Sequence, residues 1–170
     1  MSDVQLGESF IGEGGEAAHV NTVLGPRDGA VGTAWSSALA SPSHGHQPFV
    51  AILRPGLPVK PFTLFVNKAT IEHDEHGLLH WGPAQAGVAA GVADAVADGV
   101  IPADAVDDLA LITAVWVNPK AQDADLVYRN NRTAVATALA LGAANGPQLT
   151  DVLAARDRPQ NPFYAVGTTT

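Results

Sequence analysis

Cysteine is absent from the 170-residue chain, which removes disulfides, thiolate nucleophiles and cysteine-ligated zinc or iron–sulfur centres from consideration. Basic residues are also few: nine Lys and Arg against seventeen Asp and Glu, a net charge of −8. They are scattered rather than clustered, so no phosphate-tracking stripe of the kind a nucleic-acid binder needs is present. No apolar run is long and helical enough to span a bilayer. The first residues, Met1-Ser2-Asp3-Val4-Gln5, carry neither the basic region nor the apolar stretch of a secretion signal, and a cytoplasmic protein is the expectation. No strand runs directly into a G-x-G-x-x-G or Walker-type loop, so a doubly wound nucleotide fold is not expected. Internal repeats and long linkers are missing too.

What is present fits one domain, residues 1–170, able to bury a sizeable core. Apolar residues make up 46% and mean hydropathy is slightly positive. That richness points to apolar surface buried between subunits, so a homo-oligomer is expected. Residues 4–11 alternate like a strand. Gly12-Glu13-Gly14-Gly15 supplies a turn, and residues 17–24 read as the returning strand of a hairpin. Asp28 is a candidate N-cap for a helix over 29–40. Residues 49–53 and 63–71 read as strands. Between them, the prolines of 54–61 argue against regular structure. Pro83 suits the first turn of a helix to about residue 99, with Gln85 in that turn and Val88, Val92 and Val96 along its apolar side. Residues 102–108 read as a turn or short helix, 109–117 as a strand, and 123–144 as the longest helix, ended by Asn145-Gly146-Pro147. This order predicts an α+β domain, a mostly antiparallel sheet with helices packed on one side.

Two strand segments carry polar residues two apart, and such residues share a face. His19 and Asn21 lie on the first, Lys68 and Thr70 on the second. An imidazole, an amide, an ammonium and a hydroxyl shown from rigid strands can build a small acid–base site. A rival cluster is His73, His76 and His80 among Glu72, Asp74 and Glu75. Its spacings of three and four would align the rings on one helical face as divalent-metal ligands, with His44 and His46 as a further pair.

Along nearly its whole length the chain resembles the formaldehyde-activating enzyme family. The resemblance is carried by Gly7-Glu8, Gly12-Glu13-Gly14, Ala18-His19, Gly25-Pro26-Arg27, His44-Gly45, Leu57-Pro58, Lys60-Pro61 and Asn67-Lys68. It continues through Gly82-Pro83-Ala84-Gln85-Ala86-Gly87-Val88-Ala89, Gly99-Val100-Ile101-Pro102-Ala103-Asp104 and Pro162-Phe163. It implies a ribosomal-protein-S5-domain-2-like fold, a homopentamer, and condensation of formaldehyde with tetrahydromethanopterin bound between neighbouring subunits. The pterin would be a cosubstrate; no permanently bound cofactor and no metal are expected. The family's catalytic histidine falls on His19 and its pterin-contacting positions on Asn21, Val50, Lys68, Thr70 and Gln85. Lys68, Thr70 and Gln85 match the family residue type, whereas Asn21 stands where the family has Asp and Val50 where it has Leu. Loss of a carboxylate beside His19 predicts a weaker base. It also leaves open an alternative, a non-catalytic paralogue that binds formaldehyde, a pterin or another small ligand as carrier, buffer or sensor.

Overall fold

A computed structural model describes residues 4–167. Its largest sheet has five strands in the order β1 (Gln5–Ile11), β2 (Ala18–Pro26), β7 (Leu109–Trp116), β6 (Phe62–Asn67) and β3 (Phe49–Val50). Every pairing is antiparallel except β6 with β7. The α+β class and the mostly antiparallel sheet are therefore as expected. Among the described residues no helix is long and apolar enough to cross a membrane.

Period-two burial sorts the sheet into two faces. Ala18, Val20, Thr22 and Leu24 of β2, with Leu109, Leu111, Thr113 and Val115 of β7, are buried beneath the helices α3 (Gln85–Ala97) and α4 (Ala124–Ala143). Those helices pack closely because glycines face backbone. A Cβ on Gly87 would lie 2.4 Å from the Tyr128 carbonyl oxygen, and one on Gly7 would lie 1.9 Å from that of Ala138. The helices thus cover one side, as predicted. The exception is α1 (Ala30–Ala40), which crosses one end of the other face, where Val31 fills the space a Gly25 side chain would take. The remainder of that second face carries Glu8, His19, Asn21, Ala114 and Trp116, none of them fully buried.

Four local expectations are corrected. The segment 49–53 is two strands, because the chain changes partner at Ala51, whose N–H donates to Thr63 O at 2.9 Å while its carbonyl accepts from Val59 N at 3.2 Å: β3 joins the main sheet while β4 (Ile52–Arg54) pairs with β5 (Leu57–Pro58). Proline does not bar this, since such a two-stranded edge ribbon needs few donors. Asp28 does not cap α1; Gly29 holds that position without a side-chain bond. Strand β6 ends at Asn67, whose amide bonds to the carbonyls of Gly45 and Ala69 at 2.7 Å each and folds the chain out of the sheet. Finally, the helix containing Gln85 begins far upstream of Pro83, with α2 (Asp74–Leu79) running through a wider π-type turn, His80–Ala84, into α3. The wide turn accommodates Pro83, which has no N–H to donate. In α4 the Asp123 carboxylate accepts from Leu126 N at 2.9 Å as a true N-cap. The tail forms α5 (Leu149–Ala155) and a small hairpin, β8 (Gln160–Asn161) with β9 (Tyr164–Ala165).

Candidate functional site

On the open sheet face, His19 is the cross-strand neighbour of Phe10 on β1 and Trp116 on β7. Two residues along β2, Asn21 pairs with Glu8 on one side and Ala114 on the other. The small Ala114 side chain lies between Asn21 and Val66 of β6. Although β6 has ended, Lys68 N still donates to Val115 O at 2.8 Å, which keeps its side chain beside the sheet. From there Lys68 Nζ donates to Asn21 Oδ1 at 2.8 Å. On the other side, Glu8 Oε1 accepts from His19 Nε2 at 2.9 Å. A carboxylate from β1, an imidazole and an amide from β2, and an ammonium from the segment after β6 are thereby linked in two pairs.

Their charges are set by this placement. Partial burial and the nearby Lys68 ammonium hold His19 below the ordinary histidine value, against the charge and hydrogen bond of Glu8. Lys68 is lowered to about 8 by burial, with Glu8 again opposing. A neutral amide as its hydrogen-bond partner adds no charge to offset that depression. At neutral pH the patch therefore holds a lysine that gives up a proton readily and a histidine that takes one up reluctantly. Two hollows of about 580 Å³ flank it. One is lined by Leu6, Glu8, Asn21, Val23, Leu141 and Pro147; the other by Phe10, Glu13, Trp116, Asn118, Pro162 and Phe163. In the second, Phe163 from the tail meets Trp116 edge-on at 5.9 Å.

Of the six expected site residues, the structure brings His19, Asn21 and Lys68 together. Val50 pairs with Leu64 of β6 and sits on β3 at the sheet's far edge, with two strands between it and β2. Thr70 lies beyond the strand end, and its hydroxyl bonds to His46 Nε2 at 3.1 Å while His46 Nδ1–H donates to Asn67 O at 2.9 Å. Lys68 and Thr70 therefore do not share a strand face. Gln85, only 8% exposed, accepts from Ile52 N at 2.5 Å and ties the π-type turn to β4. It borders a separate hollow of about 460 Å³ with Trp81 and Tyr128. Glu8 is the functional group that strand-by-strand reading missed. Its closeness to His19 depends on the hairpin register, and only the length and shape of the turn fix that.

The rival histidine cluster comes apart. His76 and His80 do share a helical face, with ring centroids 4.5 Å apart, but both are fully buried. His76 Nε2–H donates to Val117 O at 3.0 Å and His80 Nδ1–H to His76 O at 2.8 Å. His73 caps α2, accepting from His76 N. No group of three or more metal-ligating side chains occurs among the described residues.

Residues 6–164 match the family described as Formaldehyde-activating enzyme (Fae). The chain is 43% identical over 158 residues to the 5,6,7,8-tetrahydromethanopterin hydro-lyase of Methanosarcina barkeri, covering 93% of this chain and 89% of that protein. It is also 40% identical over 164 residues to the bifunctional enzyme Fae/Hps of Methanosphaera stadtmanae, covering 96% of this chain and 40% of that protein. The corresponding bifunctional enzyme of Archaeoglobus fulgidus is 39% identical over 161 residues, 95% of this chain and 41% of that protein. The chain thus spans about two fifths of these bifunctional relatives and most of the hydro-lyase.

Proposed function

Because this chain belongs to the formaldehyde-activating enzyme family, we propose that it condenses formaldehyde with tetrahydromethanopterin to methylene-tetrahydromethanopterin and water. One secondary amine of the pterin adds to formaldehyde unaided and gives an N-hydroxymethyl group. Expelling hydroxide from that carbon is slow. A proton from His19 lets the oxygen leave as water, and the nitrogen lone pair forms an iminium. The second pterin nitrogen closes on the iminium carbon and loses its proton, which restores the acid. No electrons are exchanged overall, so the reaction calls for no redox cofactor; the pterin enters as cosubstrate and leaves as product.

The observation that carries this reading is the grouping of His19, Asn21 and Lys68 on one accessible sheet face, with hollows on either side. His19 is the general acid. Its side chain is 36% exposed, open enough to meet a substrate. Lys68 binds an anionic or carbonyl group of the pterin, and Asn21 orients Lys68. Val50, Thr70 and Gln85 complete the pocket from positions remote from His19 in one protomer. Such a split set supports a pterin held between neighbouring subunits of a homo-oligomer, a pentamer by family likeness, in the cytoplasm. Exposed apolar side chains including Leu6, Trp81, Leu149 and Phe163 offer surface for that assembly.

The test is the rate of methylene-tetrahydromethanopterin formation above the spontaneous reaction. His19→Ala is expected to lose about 10²–10⁴-fold of the accelerated rate while keeping most of the pterin affinity. Pterin binding with no acceleration by the wild-type protein would refute the enzyme reading and leave a ligand-binding paralogue.

A further inference from the structure

We propose that Glu8 is the positioning residue for His19: it holds the ring by Nε2, favours the charged form, and leaves Nδ1 as the nitrogen that exchanges a proton with substrate. This rests on the assignment of His19 as the acid, but its geometry stands apart from any pterin. Glu8 Oε1 lies 2.9 Å from His19 Nε2. A carboxylate at neutral pH only accepts hydrogen bonds, so the proton of neutral His19 sits on Nε2 and the lone pair on Nδ1. When the ring takes a second proton it arrives at Nδ1, and from Nδ1 it is delivered. Histidines that work as acids and bases are commonly fixed this way, by a carboxylate on the nitrogen away from the chemistry.

Among the described residues, the neighbours of His19 supply no second anion to stand in for Glu8. From β1 the neighbours of His19 are Glu8 and Phe10, whose ring centroid is 5.8 Å from the imidazole. From β7 the neighbour is Trp116, and along β2 it is the neutral Asn21. The segment after β6 contributes Lys68, a cation that disfavours imidazolium. Glu8 is the anion in this set, and it acts against both burial and Lys68. Its own backbone is held firmly, directly opposite Asn21 in the β1–β2 ladder. Glu8 is thus tied to both polar positions of β2, its carboxylate bonded to the first and its backbone paired across the ladder with the second.

The experiment is ¹⁵N and ¹H NMR of the histidine rings in the full-length wild-type protein and in Glu8→Gln and Glu8→Asp, together with pH–rate profiles. In wild type at alkaline pH, His19 is expected to show the Nε2–H tautomer. Glu8→Gln keeps an acceptor but removes the charge, so His19 should titrate at lower pH with the same tautomer. Because the acid must be protonated to act, the alkaline decline in rate should move to lower pH as well. The loss on that limb should be roughly tenfold, the scale of removing one close charge, and smaller at acid pH. Glu8→Asp should lie between the two. An Nδ1–H tautomer in wild type, which needs no variant, or an unchanged His19 titration in Glu8→Gln, would overturn the assignment. The NMR arms give their answer even if the protein proves not to accelerate the condensation, so failure of Glu8 and failure of the proposed function are told apart.

Discussion

Replacing Asn21 with Asp tests the electrostatics of the patch directly. Lys68 Nζ lies 2.8 Å from Asn21 Oδ1, so a carboxylate there would form a contact ion pair. At that separation two unit charges attract by roughly 1.5 kcal/mol in water and roughly 6 kcal/mol at an effective dielectric near 20. Both groups are partly solvated, which places the net effect towards the lower figure. An opposite charge at this range moves a titration by about one to three units. Lys68 should therefore climb from about 8 towards its ordinary 10.5. At pH 7.5 its neutral fraction would drop from roughly a quarter to a few per cent or less. Trace acylation across pH 6–11, read by peptide mass spectrometry, measures this, with the exposed Lys120 as internal reference. The wild-type Lys68 should reach half its limiting reactivity near pH 8, and Asn21→Asp should need a pH at least one unit higher. Wild-type labelling centred near 10.5, or a variant that titrates with the wild type, would refute the reasoning. The same carboxylate stabilises imidazolium at His19, so Asn21→Asp should also raise turnover. No gain, or a loss, would mean that the pocket has been refitted to another ligand.

His80 is buried without charge and titrates at about 4 rather than 6.5. Its depressed value means the unfolded chain takes up the proton first as pH falls. Stability should therefore be intact above pH 6.5 and fall by about 3 kcal/mol by pH 4; urea midpoints that stay level across that window would contradict the burial. Gln85→Leu should cost about 1–3 kcal/mol, because it strips the partner from the partly buried Ile52 N. Unchanged urea stability with weakened pterin binding would instead give Gln85 a purely ligand-facing role.

The elements whose residues alternate or recur strictly were readable from sequence. Strands β1, β2 and β7 and helix α4 carry their periodicity on themselves, and their ends fall within about two residues of expectation. Misplaced ends trace to interactions made at a distance. The apolar, β-favouring run after Phe62 looks like strand to Ile71, but the Asn67 amide captures the carbonyls of Gly45 and Ala69 and ends the ladder. Nothing in the run itself announces that. In the same way, Pro83 reads locally as a helix start. A turn of wider pitch, supported by Gln85 reaching β4, lets the helix pass through it.

Histidine shows most plainly what spacing can and cannot decide. His73, His76 and His80 have ligand-like spacing, and two of them, His76 and His80, do meet edge to face along one helical face. Yet this stretch of helix lies against the strand end at Val117, and the resulting burial commits each inner ring to a backbone carbonyl. Spacing aligned the rings without revealing which side of the helix faces the core. His19 carries no such signature: one imidazole in a strand, with an amide two residues on. Its chemical potential arises from β1 and from the chain beyond β6, which bring Glu8 and Lys68 to it across gaps of 11 and 49 residues. A helical motif is written within one turn of sequence, whereas a sheet site is assembled from strands that meet only on folding. The arrangement with the stronger local signal therefore proved structural, and the one with the weaker signal holds the chemistry proposed here.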